Sequence, residues 1–265
     1  MSRSLRLVLL LVVAGCAYLF LAHPYWFPVG ASSNSAAIDH QFKIAFWVFG
    51  TLFIVGHLIL ILALSKKPHA DSNVPQGSWR LEVTWTLAVT VIFFWFNVSG
   101  ERLWSSMMPA EKQAGEIEVE VTGAQFQWYF RYPGADGIFG RTDAQKFAKP
   151  DEGNPLGVDP NDPSGHDDIL STSMVVPVGH MVRLHLRAQD VIHSLFIPAM
   201  RFKQDAVPGM EIHSHFTPTQ VGNYEIACAE LCGMGHYRMR STVRVVSDDD
   251  FHKWITAQEA AAASH

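Results

Sequence analysis

The twelve residues CAELCGMGHYRM, Cys228 to Met239, carry two thiols, an imidazole and a thioether at Cys228, Cys232, His236 and Met239. Thiolate and thioether are soft donors and imidazole is borderline, a mixture that suits copper better than magnesium, calcium or manganese. A second imidazole, His193 in DVIHSLFIPA, lies 35 residues upstream of Cys228 among apolar neighbours. Five such donors exceed the four that a tetrahedral ion takes. Two coppers bridged by both sulfurs would use them all. Each would keep one imidazole and one weak axial donor: Met239 on one side, a backbone carbonyl between the cysteines on the other. Three other readings compete. A disulfide between Cys228 and Cys232, which a location outside the cytoplasm permits, leaves both histidines and Met239 without a role. A zinc site on the Cys-x3-Cys-x3-His spacing does not call for the thioether and lacks a fourth ligand. A single blue-copper site takes one cysteine, two histidines and a weak axial methionine, so the second cysteine is surplus.

Outward from this stretch the chain reads as short strands. Glu116 to Val121, EIEVEV, alternates strictly, as a half-buried strand does. Gln125 to Tyr132, Met181 to Arg187, Glu211 to Thr217, Asn223 to Ala227 and Thr242 to Val246 read similarly. Short strands separated by Gly, Pro and Asp clusters predict a β-sandwich. With soft-metal ligands near its end, the sandwich is expected to be an all-β, cupredoxin-like Greek key over residues 101–247. Residues 133–170, rich in Gly, Pro and Asp, interrupt the pattern and read as a long surface excursion. Residues 248–265 predict a short amphipathic helix that frays. His180, His185, His213 and His215 alternate along the strands or sit at their ends and read as structural or exposed. Asp190 is a candidate for an acidic docking surface, and Asp205 for support of a subunit border.

Three apolar stretches precede the strands: 5–22 behind Arg3 and Arg6, 44–64 ending at Lys66 and Lys67, and 81–98, interrupted by Glu82. The second and third are long enough to span a bilayer, which predicts a transmembrane α-hairpin within residues 23–100. Lys66 and Lys67 place the loop 65–80 in the cytoplasm, so everything after Gly100 lies outside it; Arg3 and Arg6 place the N-terminus inside, in agreement. Residues 1–22 have two readings, and both stand. They form a signal peptide with a lipobox-like Val13-Ala14-Gly15-Cys16, whose cysteine would be lipidated, or an additional, uncleaved helix. Three of the 25 acidic and six of the 20 basic residues fall in the first hundred, leaving 22 acids against 14 bases beyond. An acidic exported domain steers a basic soluble partner toward it, and nothing suggests nucleic acid. The chain lacks a haem-attachment Cys-x-x-Cys-His, and its apolar stretches are too few to house haem.

The segments DVIHSLFIPAMRFKQDAVPG, from Asp190, and GNYEIACAELCGMGHYRM, from Gly222, closely resemble subunit II of the haem–copper respiratory oxidases, and the likeness runs from about residue 40 to residue 246. The resemblance implies a binuclear CuA centre: Cys228 and Cys232 as bridges, His193 and His236 as terminal ligands, and the Glu230 backbone carbonyl opposite Met239. It implies that the Glu230 side chain helps hold magnesium at the border with the catalytic subunit, a task that suits a hard carboxylate. It places Glu82 at the mouth of a proton channel, the alternative being a snorkelling or helix-capping acid. In the aromatic stretch GAQFQWYFRYPG, from Gly123, many members carry a tryptophan where cytochrome c delivers its electron; this chain has Phe126 there and Trp128 two residues later. The implied function is electron transfer from a c-type cytochrome to haem in subunit I, where oxygen is reduced to water with proton translocation. The implied location is the bacterial inner membrane, with the copper domain in the periplasm. A membrane-tethered copper carrier, a quinol-oxidase subunit (a branch without the copper ligands) and a nitric oxide reductase subunit are the alternatives.

Overall fold

Alternation along Ile117–Ala124 (β1) turns Val119 and Val121 into the core and Glu118 and Glu120 to the opposite face. In this computed structural model, which describes residues 3–22, 27–65, 77–107, 115–143, 146–147 and 153–262, the same logic builds two five-stranded sheets. Further strands are Gln127–Tyr132 (β2), Ile169–Ser171 (β3), Met174–Pro177 (β4), Val182–Ala188 (β5) and His193–Ile197 (β6). Phe202–Ala206 (β7), Ile212–Phe216 (β8), Gly222–Cys228 (β9) and Arg240–Val246 (β10) complete the set. One sheet has the order β3-β2-β1-β5-β8 and the other β4-β10-β9-β6-β7. Pairings are antiparallel except β1 with β5 and β4 with β10. The interleaved order is that of a Greek-key sandwich of the cupredoxin type, as the sequence predicts. Trp128, Phe130, Tyr132, Leu184 and Leu186 from the first sheet, with Met174, Val176, Leu195, Ile226 and Val243 from the second, supply much of the core. Tyr132 ties the layers together: its hydroxyl donates to the Val175 carbonyl and accepts from the Val175 N–H, at 2.9 and 2.7 Å. Burial pushes that phenol well above its ordinary pKa.

Several elements depart from the sequence reading. The strand predicted from Gln125 begins at Gln127, because Gln125 and Phe126 form the turn of the β1–β2 hairpin. β3, β4, β6 and β7 were not foreseen. β4 is buried at every position and β6 at four of five, so neither shows the alternation that marks a half-exposed strand. The excursion 133–170 is a cover as well as a loop: Arg131, in β2, donates to the Gly140 carbonyl and the Asp168 carboxylate at 2.8 Å each. It also pairs with Glu120, which is 2% exposed. The C-terminal segment forms a fifteen-residue helix, Asp248–Ala262 (α4). Its Phe251 is buried and its Trp254 packs edge-on against Tyr132, so the apolar face of the expected helix is docked on the sandwich.

The N-terminal unit comprises Arg3–Ala22 (α1), Ser35–Ser65 (α2) and Trp79–Ser106 (α3). Among the described residues α2 and α3 are the helices long and apolar enough to cross a membrane. Their 31 and 28 residues correspond to roughly 46 and 42 Å. Both extend beyond the apolar stretches 44–64 and 81–98, and α3 runs six residues past the boundary expected at residue 100. Gln41 donates to Ser99 Oγ at 2.8 Å, and Phe49 stacks on Phe96 with centroids 5.4 Å apart. Large apolar side chains such as Phe53, Leu62, Val91 and Phe93 point outward, the arrangement expected of helices surrounded by lipid. Lys66 and Lys67, on which the orientation rests, lie outside the described residues.

Residues 29–36 belong with the sandwich. Ala31 is fully buried there and its N–H donates to the Ala199 carbonyl, while Thr219 N–H donates back to Ala31. Ser32 Oγ donates to the Met200 carbonyl at 2.7 Å.

Candidate metal centre

The strand β9 ends at Cys228 and β10 begins at Arg240; the stretch between them is the connection of a hairpin. Two backbone bonds pin its base: Cys228 N–H to the Met239 carbonyl, and Ala229 N–H to the Ser194 carbonyl in β6, both 3.0 Å. The second bond fastens the loop to the strand that carries His193. Cys228 and Cys232 Sγ stand 3.9 Å apart. That is far beyond a disulfide bond of about 2.05 Å, and no disulfide is formed among the described residues. His193 Nδ1 is 3.9 Å and the Glu230 carbonyl 3.2 Å from Cys228 Sγ. His236 Nδ1 is 3.6 Å and Met239 Sδ 3.8 Å from Cys232 Sγ. Each sulfur therefore has one imidazole and one weak neutral donor beside it. His193, Cys228 and Cys232 present ligand atoms within 4.8 Å of one another. His193 and Met239 are fully buried, both thiols nearly so, and His236 is half-buried.

This donor set fits copper. Burial, with the neighbouring Cys228 adding to it, pushes the Cys232 thiol up to about 11. A thiolate there needs a cation, because an unpaired buried charge is costly. Metal–sulfur bonds of about 2.3 Å let one ion reach both sulfurs across 3.9 Å. Imidazole and thioether beside the sulfurs are the partners that copper prefers.

The surroundings fix the ligands. His193 Nε2 donates to Asp190 Oδ1 at 2.7 Å, leaving Nδ1 turned toward the sulfurs, the arrangement that sets the tautomer of a metal-binding histidine. Burial raises the Asp190 carboxyl, but hydrogen bonds from His193 and from the N–H groups of Gln125 and Val191 outweigh it and hold the pKa below the usual carboxylate value. Gln125 also donates its amide to the Cys232 carbonyl, joining the β1–β2 turn to the copper loop. At the end of β1, a Cβ on Gly123 would lie 2.9 Å from the His193 ring, so only glycine leaves room for the imidazole. Of these supports the sequence reading singled out Asp190, as a docking residue; Gln125 and Gly123 carry no signal until the hairpin is folded.

The other candidates are placed as follows. The Phe126 ring lies against Gly233 and Gly235, where a Cβ on Gly235 would come within 2.4 Å of it, and it is 37% exposed. Trp128 is fully buried, its ring edge-on to His193 with centroids 6.0 Å apart, so it cannot meet a soluble donor directly. Glu230 is exposed, and Leu231 and Met234 in the same loop are 80% and 94% exposed. Asp205, on β7, pairs with Lys203 at 3.6 Å. Glu82 is exposed in the first turn of α3.

The profile of the family described as cytochrome c oxidase subunit II, periplasmic domain, matches residues 117–246. The alternative cytochrome c oxidase subunit 2 of Bradyrhizobium diazoefficiens is 32% identical over 269 residues, covering 98% of this chain and 93% of its own. Cytochrome c oxidase subunit 2 of Cereibacter sphaeroides is 31% identical over 218 residues, covering 77% of this chain and 70% of its own. Among solved structures, the periplasmic domain of subunit II of cytochrome oxidase (CoxB) of Bradyrhizobium japonicum aligns with a TM-score of 0.42 and 27% identity, over 58% of this chain and 99% of that one.

Proposed function

This chain belongs to the cytochrome c oxidase subunit II family, and on that premise we propose that it is the electron-accepting subunit of a membrane-bound haem–copper oxidase. Electrons come from a c-type cytochrome and pass to haem in subunit I, where oxygen is reduced to water with proton translocation. The observation that carries this reading is the convergence of four donors, His193, His236, Met239 and the Glu230 carbonyl, on the buried sulfur pair of Cys228 and Cys232.

A CuA centre, when bound, takes up and releases one electron with the charge shared over two metals. The protein's part is to hold still. Cys228, Cys232, His193 and His236 would hold the coppers, with Met239 and the Glu230 carbonyl as weaker donors beside the sulfurs. Asp190 keeps the proton on His193 Nε2, and the bonds to Ser194 and from Gln125 fasten the loop to β6 and to the β1–β2 turn. Near-complete burial excludes water from the sulfurs. Phe126, exposed against the loop, is the proposed receiving surface for the donor's electron, with Trp128 behind it in the core.

The finer assignments belong to the same reading. Glu230 is exposed, and its carboxylate is proposed to bind magnesium at the subunit I border. Glu82, at the start of α3, is proposed to serve a proton channel of the partner subunit. The sandwich is proposed to lie on the periplasmic side of the bacterial inner membrane.

The test is electron paramagnetic resonance of the copper-loaded full chain in detergent, after a chelator wash that strips loosely held copper. The expected result is two retained coppers and hyperfine structure from one unpaired electron shared equally by two nuclei. A signal localised on one copper, or Cys228 and Cys232 recovered as a disulfide without copper, overturns the reading.

A further inference from the structure

The outward face of the first sheet carries rows of charged and imidazole side chains set by strand register. His185 on β5 lies directly opposite His213 on β8. Glu118 on β1 reaches the same place from the other side, its Oε2 3.7 Å from His185 Nε2. Glu211 completes the group: its Oε1 is 3.0 Å from His185 Nδ1 and 3.8 Å from His213 Nε2. The two imidazoles stand edge to face with centroids 4.9 Å apart.

We propose that His185, His213 and Glu211 form a second metal site, independent of the copper loop, that takes a borderline divalent cation such as Zn2+. Three observations support it. The ligand atoms of these three residues all lie within 4.8 Å of one another. Tetrahedral zinc with bonds of about 2.0–2.2 Å sets ligand atoms roughly 3.5 Å apart, so the widest pair must close by as much as about 1.3 Å. His213 and Glu211 are exposed enough to supply that closure. Second, His185 Nε2 is buried with no hydrogen-bond partner among the described residues, since Glu118 at 3.7 Å is beyond hydrogen-bond reach. With a cation on Nδ1, which faces Glu211, the ring's proton sits on Nε2 toward the Glu118 carboxylate, the side on which a metal-binding histidine takes its outer partner. Third, the donor set is selective. Two imidazoles and a carboxylate are the ligands of zinc sites that keep an open position, whereas calcium and magnesium prefer oxygen alone. Arg187 pairs with the other oxygen of Glu211, and with Glu120 at 3.3 Å, so the carboxylate is oriented with Oε1 toward the imidazoles.

The probe is Zn2+ itself, titrated calorimetrically into the detergent-solubilised full chain carrying Cys228→Ser and Cys232→Ser, which removes the softer competing donors. One Zn2+ per chain is expected at this site. Adding His213→Ala is expected to weaken its binding at least about tenfold, because one of three ligands is lost. The same His213→Ala change in the chain with both cysteines intact guards against misfolding of the serine variant. There it is expected to remove one Zn2+ per chain while the copper signal of the loaded protein stays unchanged. Equal zinc stoichiometry and affinity with and without His213, in both backgrounds, overturns the proposal and leaves the copper reading untouched.

Discussion

Asp190 bears on the metal site through His193. Its carboxylate holds the His193 Nε2 proton at 2.7 Å, and partners of this kind are typically worth 10–100-fold in metal affinity. Asp190→Asn, which keeps the shape and loses the charge, is expected to lower copper retention against a competing chelator by about tenfold or more. Retention equal to the parent would sink that role. Asp168 is a second informative residue. Burial lifts its carboxyl to about 6 in spite of Arg131 and the Gly140 N–H, with Glu120 adding to the rise. The folded state thus holds a proton that the unfolded chain has already released. Stability contributed through this group is greatest below about pH 4, falls as pH rises toward 6, and is flat above. Urea midpoints measured from pH 4 to 7 are expected to show this decline relative to Asp168→Asn; parallel profiles for the two proteins would contradict it.

Among the elements, the β1–β2 hairpin carries the most. Its Tyr132 bridges the two sheets through both backbone groups of Val175. Tyr132→Phe leaves a buried N–H and carbonyl without that partner, and a loss of about 1–3 kcal/mol is expected in urea unfolding. A change within a few tenths would mean that water replaces the hydroxyl. The same hairpin marks the limit of what the sequence makes legible. The copper loop could be read directly because four of its ligands fall within twelve contiguous residues, and EIEVEV because one face is core and the other is not. The alternation was silent on what covers the polar face. Glu120 looks like a solvent residue in the sequence, yet it is buried beneath the 133–170 segment with Arg131 and Asp168. The strands buried on both faces, β4 and β6, have no alternation to detect. The pairing of His185 with His213 depends on the β5–β8 register, which spacing alone does not reveal.

On the scale of the whole molecule, charge and membrane character are divided along the chain. The apolar helices come first, and the residues beyond 100 carry 22 acids against 14 bases. Attraction of this kind is screened over about 10 Å at 0.1 M salt. With the proposed basic soluble c-type cytochrome as donor, electron uptake by the assembled oxidase is therefore expected to slow as ionic strength rises, read as the second-order rate in stopped flow. A rate indifferent to salt would remove the steering argument. Segment 29–36 has a different consequence, one of timing. It is translated before α2 and α3, yet Ser32 finds its partner Met200 168 residues later, and Gly30 accepts from Gln220 190 residues later. The loop-closure cost at such separations rises only logarithmically, so the contact is affordable once its partners exist. Until the ribosome has delivered β9's approach, however, the segment has nothing to hold. The earliest-made piece of the sandwich therefore waits for partners made much later, and a fragment that starts after α3 is built without it.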